Sequence, residues 1–368
     1  MLLGCAKGSK GRVAPLWDGS RGEGAGGDLP AVNRQPIFPY TQRSDVALAH
    51  GESRRKNVLE ALTSIDAEVK TGLQHKKYVL IKPNLVSSEK DLASTHAEAI
   101  NGILDYLAPR FRGPVMIAES SAEDTLDAYH NFGYTTVEKE RRSQQLSLVD
   151  LNREAKYETH ALMDYDLHVT PVRLAARLFD PDAYIICCAV MKTHNAAVAS
   201  LSIKNMTLGA PLHAAPGQGH WSDKRKYHVG VRQMQYNIML TAQKMRPFWG
   251  ATVIDGFEGM EGNGPTSGTP VASRLAIAST DYIAADRVGL EVMGIKSEWP
   301  GYLVYCGQMG LGQYDLGKID VIGAAIASVQ KKYRLHSDIE RELQWMGPMD
   351  DLPPKLGNIT HNPDFIYG

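Results

Sequence analysis

Six short apolar runs recur along the chain: residues 78–81 (YVLI), 115–118 (VMIA), 184–190 (YIICCAV), 251–254 (ATVI), 275–278 (LAIA) and 319–322 (IDVI). Brief runs of this kind, mostly apolar on both alternating faces, predict strands buried on both sides. Between them lie segments of helical period: Val58, Leu62 and Ile65; Ala97, Ile100, Leu104 and Leu107; Val231, Met234, Ile238 and Met245; Ala284, Val288 and Val292. Such stripes predict amphipathic helices whose apolar faces are core. Strands alternating with helices imply parallel pairing through crossover connections. The predicted fold class is therefore α/β, three-layer, with a mainly parallel sheet and helices on both faces.

The alternation is clearest over residues 45–327, the predicted extent of the α/β domain. Within it, residues 120–182 are weaker in period and richer in charge (KERRSQQ, LNREAKYE), which predicts an insertion or small cap. Residues 1–44 hold too little apolar surface to offset the entropy of ordering and predict a flexible arm. Residues 328–368 (WMGPMDDLPPKLGNITHNPD within) predict an irregular C-terminal wrap.

Polar residues stand at the ends of these runs: Lys82, Glu119, Lys192 with His194, Asp255, and Ser279. Ligands of open α/β sheets bind outside the carboxyl ends of the strands, so recurrence at these positions predicts a shared cleft. In IKPNLV, Lys82 precedes Pro83, which biases it to extended backbone and sends its ammonium off the strand end. In MKTHNAAVASLSIKN, Lys192, His194, Lys204 and Asn205 come after the third run; an imidazole there suits general acid/base chemistry or metal ligation, and a lysine ten residues on suits an anionic cofactor or substrate. His220 and His228 lie in the same region as candidate ligands for a soft or borderline metal. DGFEGMEGNGPTSGTPV (255–271) combines Asp255 and Glu261 with Gly262 and Gly264 in a long loop whose backbone N–H groups could cradle an anion. It is neither a dinucleotide fingerprint nor a P-loop.

Composition narrows the classes. The formal net charge of -1 argues against a nucleic-acid partner, and the basic stretch DKRKYH (223–228) reads as a solvated loop. No apolar run is long enough to span a membrane. Cys5, Cys187, Cys188 and Cys306 lack the spacing for zinc, an iron–sulfur cluster or a disulfide framework; Cys187 and Cys188 read as small core residues. MLLGC resembles the end of a lipoprotein signal, but the apolar stretch before it is missing. A cytoplasmic location is expected, with export by a leader missing from this sequence as the alternative.

Taken as a set, KPNLV, MKTH with SLSIKNMTLG, KYH, DGFEGMEGNGPTSGTPV and DYIAADRVG resemble the domain-of-unknown-function 362 family over residues 45–325. Some members of that family carry ferredoxin-type clusters, which implies a ferredoxin-type redox partner for this cluster-free chain. More distantly, the order of Lys82 and Pro83, His194, Lys204 ten residues later, and His220 or His228 resembles the nickel-pincer lactate racemases. That resemblance implies a transition metal or a nickel-containing nucleotide as cofactor, with Lys204 at its attachment point and His220 or His228 as ligand.

The expected function is that of a small-molecule enzyme acting on a carboxylate- or phosphate-bearing substrate by proton or hydride transfer, racemase-like or oxidoreductase-like. Lys82 and Lys192 would hold the anion and His194 would be the general acid/base. Lys204 with Asn205 would anchor a cofactor or second anionic group, Gly262 and Gly264 would line it, and Asp255 and Glu261 would orient partners or a metal. The alternative is a non-catalytic ligand-binding or electron-transfer partner of an iron–sulfur system.

Overall fold

The strand Ala183–His194 shows how the sheet is built, because its side chains leave alternately to two separate cores. Ile185, Cys187, Ala189 and Met191 enter one, Tyr184, Ile186 and Cys188 the other. A strand sandwiched in this way has no solvent face, so it reads as a continuous apolar run. In the computed structural model, which describes residues 37–215 and 219–346, the strands are β1 (Ser44–His50), β2 (Tyr78–Lys82), β3 (Val115–Glu119), β4 (Leu146–Asp150), β5 (Tyr157–Met163), β6 (Val169–Ala175), β7 (Ala183–His194), β8 (Val198–Ser200), β9 (Trp249–Glu261), β10 (Thr269–Val271), β11 (Leu275–Ser279) and β12 (Ile319–Gly323).

The main sheet runs β12-β1-β11-β9-β7-β2-β3-β4, with β8 on β7 and β10 on β9. Along that path every pairing is parallel except the two that β11 makes with β1 and β9. The mainly parallel sheet is as expected, but β11 runs against the rest, so Ser279 lies at the opposite edge and bonds the carbonyl of Asp45 there. It takes no part in a cleft at the other strands' carboxyl ends.

One face is covered by α1 (Arg54–Ser64), α2 (Asp66–Leu73), α3 (Ala97–Leu107), α4 (Thr125–Asn131) and α5 (Tyr134–Glu140). The other is covered by α6 (Leu151–Glu154), α7 (Ser202–Gly209), α8 (Val231–Met245), α9 (Tyr282–Val292), α10 (Gly301–Gln308), α11 (Ile326–Val329) and α12 (Ile339–Glu342). This is a three-layer α/β fold. Residues 146–150 of the weakly periodic segment form the edge strand β4, and β5 and β6 make a separate antiparallel hairpin. The predicted N-terminal arm lies outside the described residues up to position 36; beyond it Phe38 stacks on Tyr314. The tail beyond 346 lies outside them too.

The strand order reverses between β7 and β2: β3 and β4 build outward from β2, while β9 and β11 build outward from β7. Crossover helices on either side then leave a crevice at the carboxyl ends of β2 and β7, the usual position of ligand sites in open α/β sheets.

Candidate functional site

A cleft of about 330 Å³ opens at that reversal. Lys82 and Glu119 arrive on the ends of β2 and β3, Lys192 and His194 on β7, Lys204 and Asn205 on α7, and Lys224 and His228 on the loop before α8. Lys82 is fully buried and its three donors are all used, on Glu119 at 2.9 Å, Asn205 Oδ1 at 2.8 Å and the Pro83 carbonyl at 2.8 Å. Gly209 permits this arrangement, since a Cβ there would come within 2.2 Å of the Lys82 ammonium. The pair is closed off further by the N–H groups of Leu85 and Ser120, which donate to Glu119.

The other three lysines have no carboxylate within ion-pair range among the described residues. Lys192 donates to the Ala93 carbonyl at 2.6 Å and Lys224 to the Leu208 carbonyl at 3.1 Å. Burial lowers the Lys192 ammonium to about 7, helped by nearby Lys82, and burial also lowers Lys224 to about 7 against the pull of Glu119. Burial, with Lys192 beside it, takes Lys204 well below the usual lysine range. Removing charge from water is costly unless it is paired, which is why burial without a carboxylate lowers all three ammonium groups.

The backbone sets the two imidazoles in opposite tautomers. Ala196 N–H donates to His194 Nδ1 at 3.0 Å, so the proton of the neutral ring sits on Nε2. His228 Nδ1 faces the Lys224 carbonyl at 3.2 Å and must donate to it, which leaves a lone pair on Nε2. Burial holds both rings neutral: His194 is pushed well below the usual imidazole range and His228 down to about 4, with Lys204 the next cause in each case. One ring therefore offers a donor and the other an acceptor.

The first turn of α7, which carries Lys204, lacks a side-chain cap of its own. Asp286 of α9 supplies one, accepting from Ser202 N–H at 2.8 Å, from Ile203 N–H at 3.1 Å and from the Ser202 hydroxyl. Burial pushes this carboxyl up to about 7 against those three donors. Asp286→Ala is expected to lower stability by about 1–3 kcal/mol, since buried donors lose their acceptor, and denaturant unfolding would measure it.

A family profile described as Domain of unknown function (DUF362) matches residues 79–291. The chain belongs to this family. No curated protein matches it. Among solved structures, the lactate racemase apoprotein from Thermoanaerobacterium thermosaccharolyticum is similar at 15% identity and a TM-score of 0.42, covering 73% of this chain and 59% of that one. A protein from Thermotoga maritima is similar at 10% identity and a TM-score of 0.42, covering 79% of this chain and 94% of that one. The DUF362 chain thus spans 59% of the racemase's length.

Several residues marked in the sequence of this DUF362 chain lie elsewhere. Asp255 continues the side of β9 on which Val253 meets α1, and there it pairs with Arg54 at 3.1 Å, away from the cleft. Glu261 accepts from Arg334 N–H at 2.9 Å. Gly262 N–H goes to the Arg334 carbonyl and Gly264 N–H to the Gly262 carbonyl, so neither is left to cradle an anion. Gly264 is instead required by packing, as a Cβ would lie 2.1 Å from the Thr193 carbonyl oxygen. The loop reaches the cleft through Pro265 and Thr266. His220 is exposed and outside the cleft.

Among the described residues no group of three or more His, Cys, Asp or Glu side chains could hold a metal ion. In the cleft itself a metal would find one imidazole lone pair, on His228, and one carboxylate, already held by Lys82. That donor set does not fit a metal held by protein ligands, whereas the lysines suit carboxylate or phosphate groups. Lys224 is the cleft residue the sequence hid, since DKRKYH read as a solvated loop. Glu119, noted only as a strand-end residue, gains its role through Lys82. No helix among the described residues is long and apolar enough to cross a membrane.

Proposed function

We propose that the cleft binds a small carboxylate- or phosphate-bearing molecule and moves a proton at the carbon next to its carbonyl or carboxyl group. The observation that carries this reading is the set of three lysines without carboxylate partners, placed around two imidazoles whose tautomers the backbone sets. Lys192 and Lys224 would hold the anion. His228 Nε2, the free lone pair, would take the proton, and His194 Nε2–H would donate a hydrogen bond to the oxygen on which negative charge develops. The sequence marked His194 as the base, but its Nδ1 is occupied and its Nε2 is protonated, so the donor role suits it better.

Two measurements test this. Inorganic pyrophosphate at about 100 times its dissociation constant is expected to stabilise the chain by about 2.7 kcal/mol, and Lys192→Met to remove most of that effect. Proton NMR in D₂O, with 2-hydroxy acids, 2-oxo acids and phosphorylated aldehydes, is expected to show loss of one C–H signal that His228→Gln prevents. Binding without exchange would reduce the site to ligand holding, and no pyrophosphate effect at all would refute the anion site.

A further inference from the structure

We propose that Lys204 is a nucleophilic amine that captures the carbonyl carbon of an anionic aldehyde or ketone as an imine. This rests on reading the cleft as an anion site, and it names the class of occupant: a carbonyl compound that also carries a carboxylate or phosphate. Lys204 stands in the first turn of α7, lines the cleft and is only 6% exposed. Among the described residues its Nζ has neither a carboxylate partner nor a hydrogen bond, whereas Lys82, Lys192 and Lys224 each donate to an oxygen. An ammonium this buried and this unsupported is costly, so burial, with Lys192 beside it, favours the neutral amine, whose lone pair no donor among the described residues occupies. Desolvation beside other cationic groups is a recognised way of making lysine nucleophilic toward carbonyls.

The step balances without a further reagent. The Lys204 nitrogen adds to the carbonyl carbon, the carbonyl oxygen gains protons, and the carbinolamine expels that oxygen as water. One amine and one carbonyl compound give one imine and one water, with no change in oxidation state. The protons come from the amine and the solvent, and His194, a cleft-lining residue whose tautomer leaves Nε2 protonated, would donate a hydrogen bond to the departing oxygen. Lys192 and Lys224 remain to hold the anionic group. Once protonated, the imine draws electrons from the neighbouring C–H bond, the bond from which His228 is proposed to take its proton.

Borohydride trapping tests the proposal on the full chain. Glyoxylate, glycolaldehyde phosphate and the uncharged glycolaldehyde are each incubated with protein and reductant, followed by intact mass and peptide mapping. One adduct, on Lys204, is expected with the two anionic aldehydes, forming about tenfold faster than with glycolaldehyde, equivalent to about 1.4 kcal/mol. Pyrophosphate should block it, and Lys204→Arg should abolish it. Adducts spread over exposed lysines, unaffected by pyrophosphate and with Lys204 unmodified, would overturn the proposal. Mapping of the wild-type chain decides this even if Lys204→Arg does not fold. Stabilisation by pyrophosphate without a Lys204 adduct would sink the imine and keep the anion site; equal labelling of Lys204 by all three aldehydes would uphold the imine and sink the anion site.

Discussion

Glu119→Ala is expected to destabilise the folded chain by about 3–5 kcal/mol, the usual cost of leaving one member of a buried ion pair without the other. The pair with Lys82 is out of contact with water on both sides, at 0% and 2% exposure. The lysine cannot turn to another carboxylate, because no other ion pair involves it among the described residues, and its remaining donors already reach Asn205 and the Pro83 carbonyl. Removing both charges together, as Lys82→Met with Glu119→Gln, should cost less than Glu119→Ala alone, since no unpaired ammonium is left. Urea unfolding of the three proteins gives the comparison. A loss below about 1 kcal/mol for Glu119→Ala would mean that the pair contributes little to stability.

The second large effect is one of pH. Lys192 titrates near 7 in the folded chain because it is buried, whereas an unfolded lysine titrates near 10.4. Between those values the unfolded state binds more protons, so the ligand-free chain should gain stability from about pH 7 to about pH 10 and lose it again as pH falls toward 7. For this one residue the gain is about 3–5 kcal/mol, following the rule that one pKa shift of a unit is worth 1.36 kcal/mol. Raised carboxyls such as Asp286 and Glu342, both near 7, work in the opposite direction only below that range, and the thiols of Cys187, Cys188 and Cys306, raised by burial, oppose the gain only above about 8.5, where unfolded thiols ionise. A bound polyanion should reverse the trend, because it favours the charged lysines: stabilisation by pyrophosphate should shrink as pH rises above 7, and binding near pH 8 should take up protons. Melting curves across pH, with and without pyrophosphate, and calorimetry in two buffers of different ionisation enthalpy would show this. A ligand-free chain whose stability is flat from about pH 7 to about 8.5, below the range in which unfolded thiols ionise, would contradict the burial of a titrating Lys192.

The strands that end at the cleft and four of the helices packed on the sheet were legible because their causes are local, whereas α7, which carries Lys204 and Asn205, shows no apolar stripe that marks it. β2, β3, β7 and β9 are buried on both faces and so carry apolar runs, and α1, α3, α8 and α9 bury one face and so carry stripes. β1 went unmarked although VALA is as apolar as other runs, and β4, with its mixed LSLVD, has an edge strand's weaker pattern. The reversal of β11 left no trace in its residues, because a strand buried on both faces has the same composition whichever way it runs; only its pairing with β1 and β9 sets the direction.

The same division holds at the site. The sequence alone determined that Lys82, Lys192 and His194 come at the ends of buried strands and that Lys204 and Asn205 lie just beyond, since strand ends are marked by the switch from apolar to polar residues. Tertiary structure alone decided which of these groups are free to act. It joined Lys82 to Glu119, 37 positions away, and turned Asp255 to the other face of the sheet. It brought in Lys224 from a stretch that reads as solvent-facing, and set the proton of His194 through the Ala196 N–H. Charge pairing and tautomer depend on what lies within a few ångströms, and that neighbourhood is assembled by the crossing of β2, β7 and α7, which no single segment of the chain records.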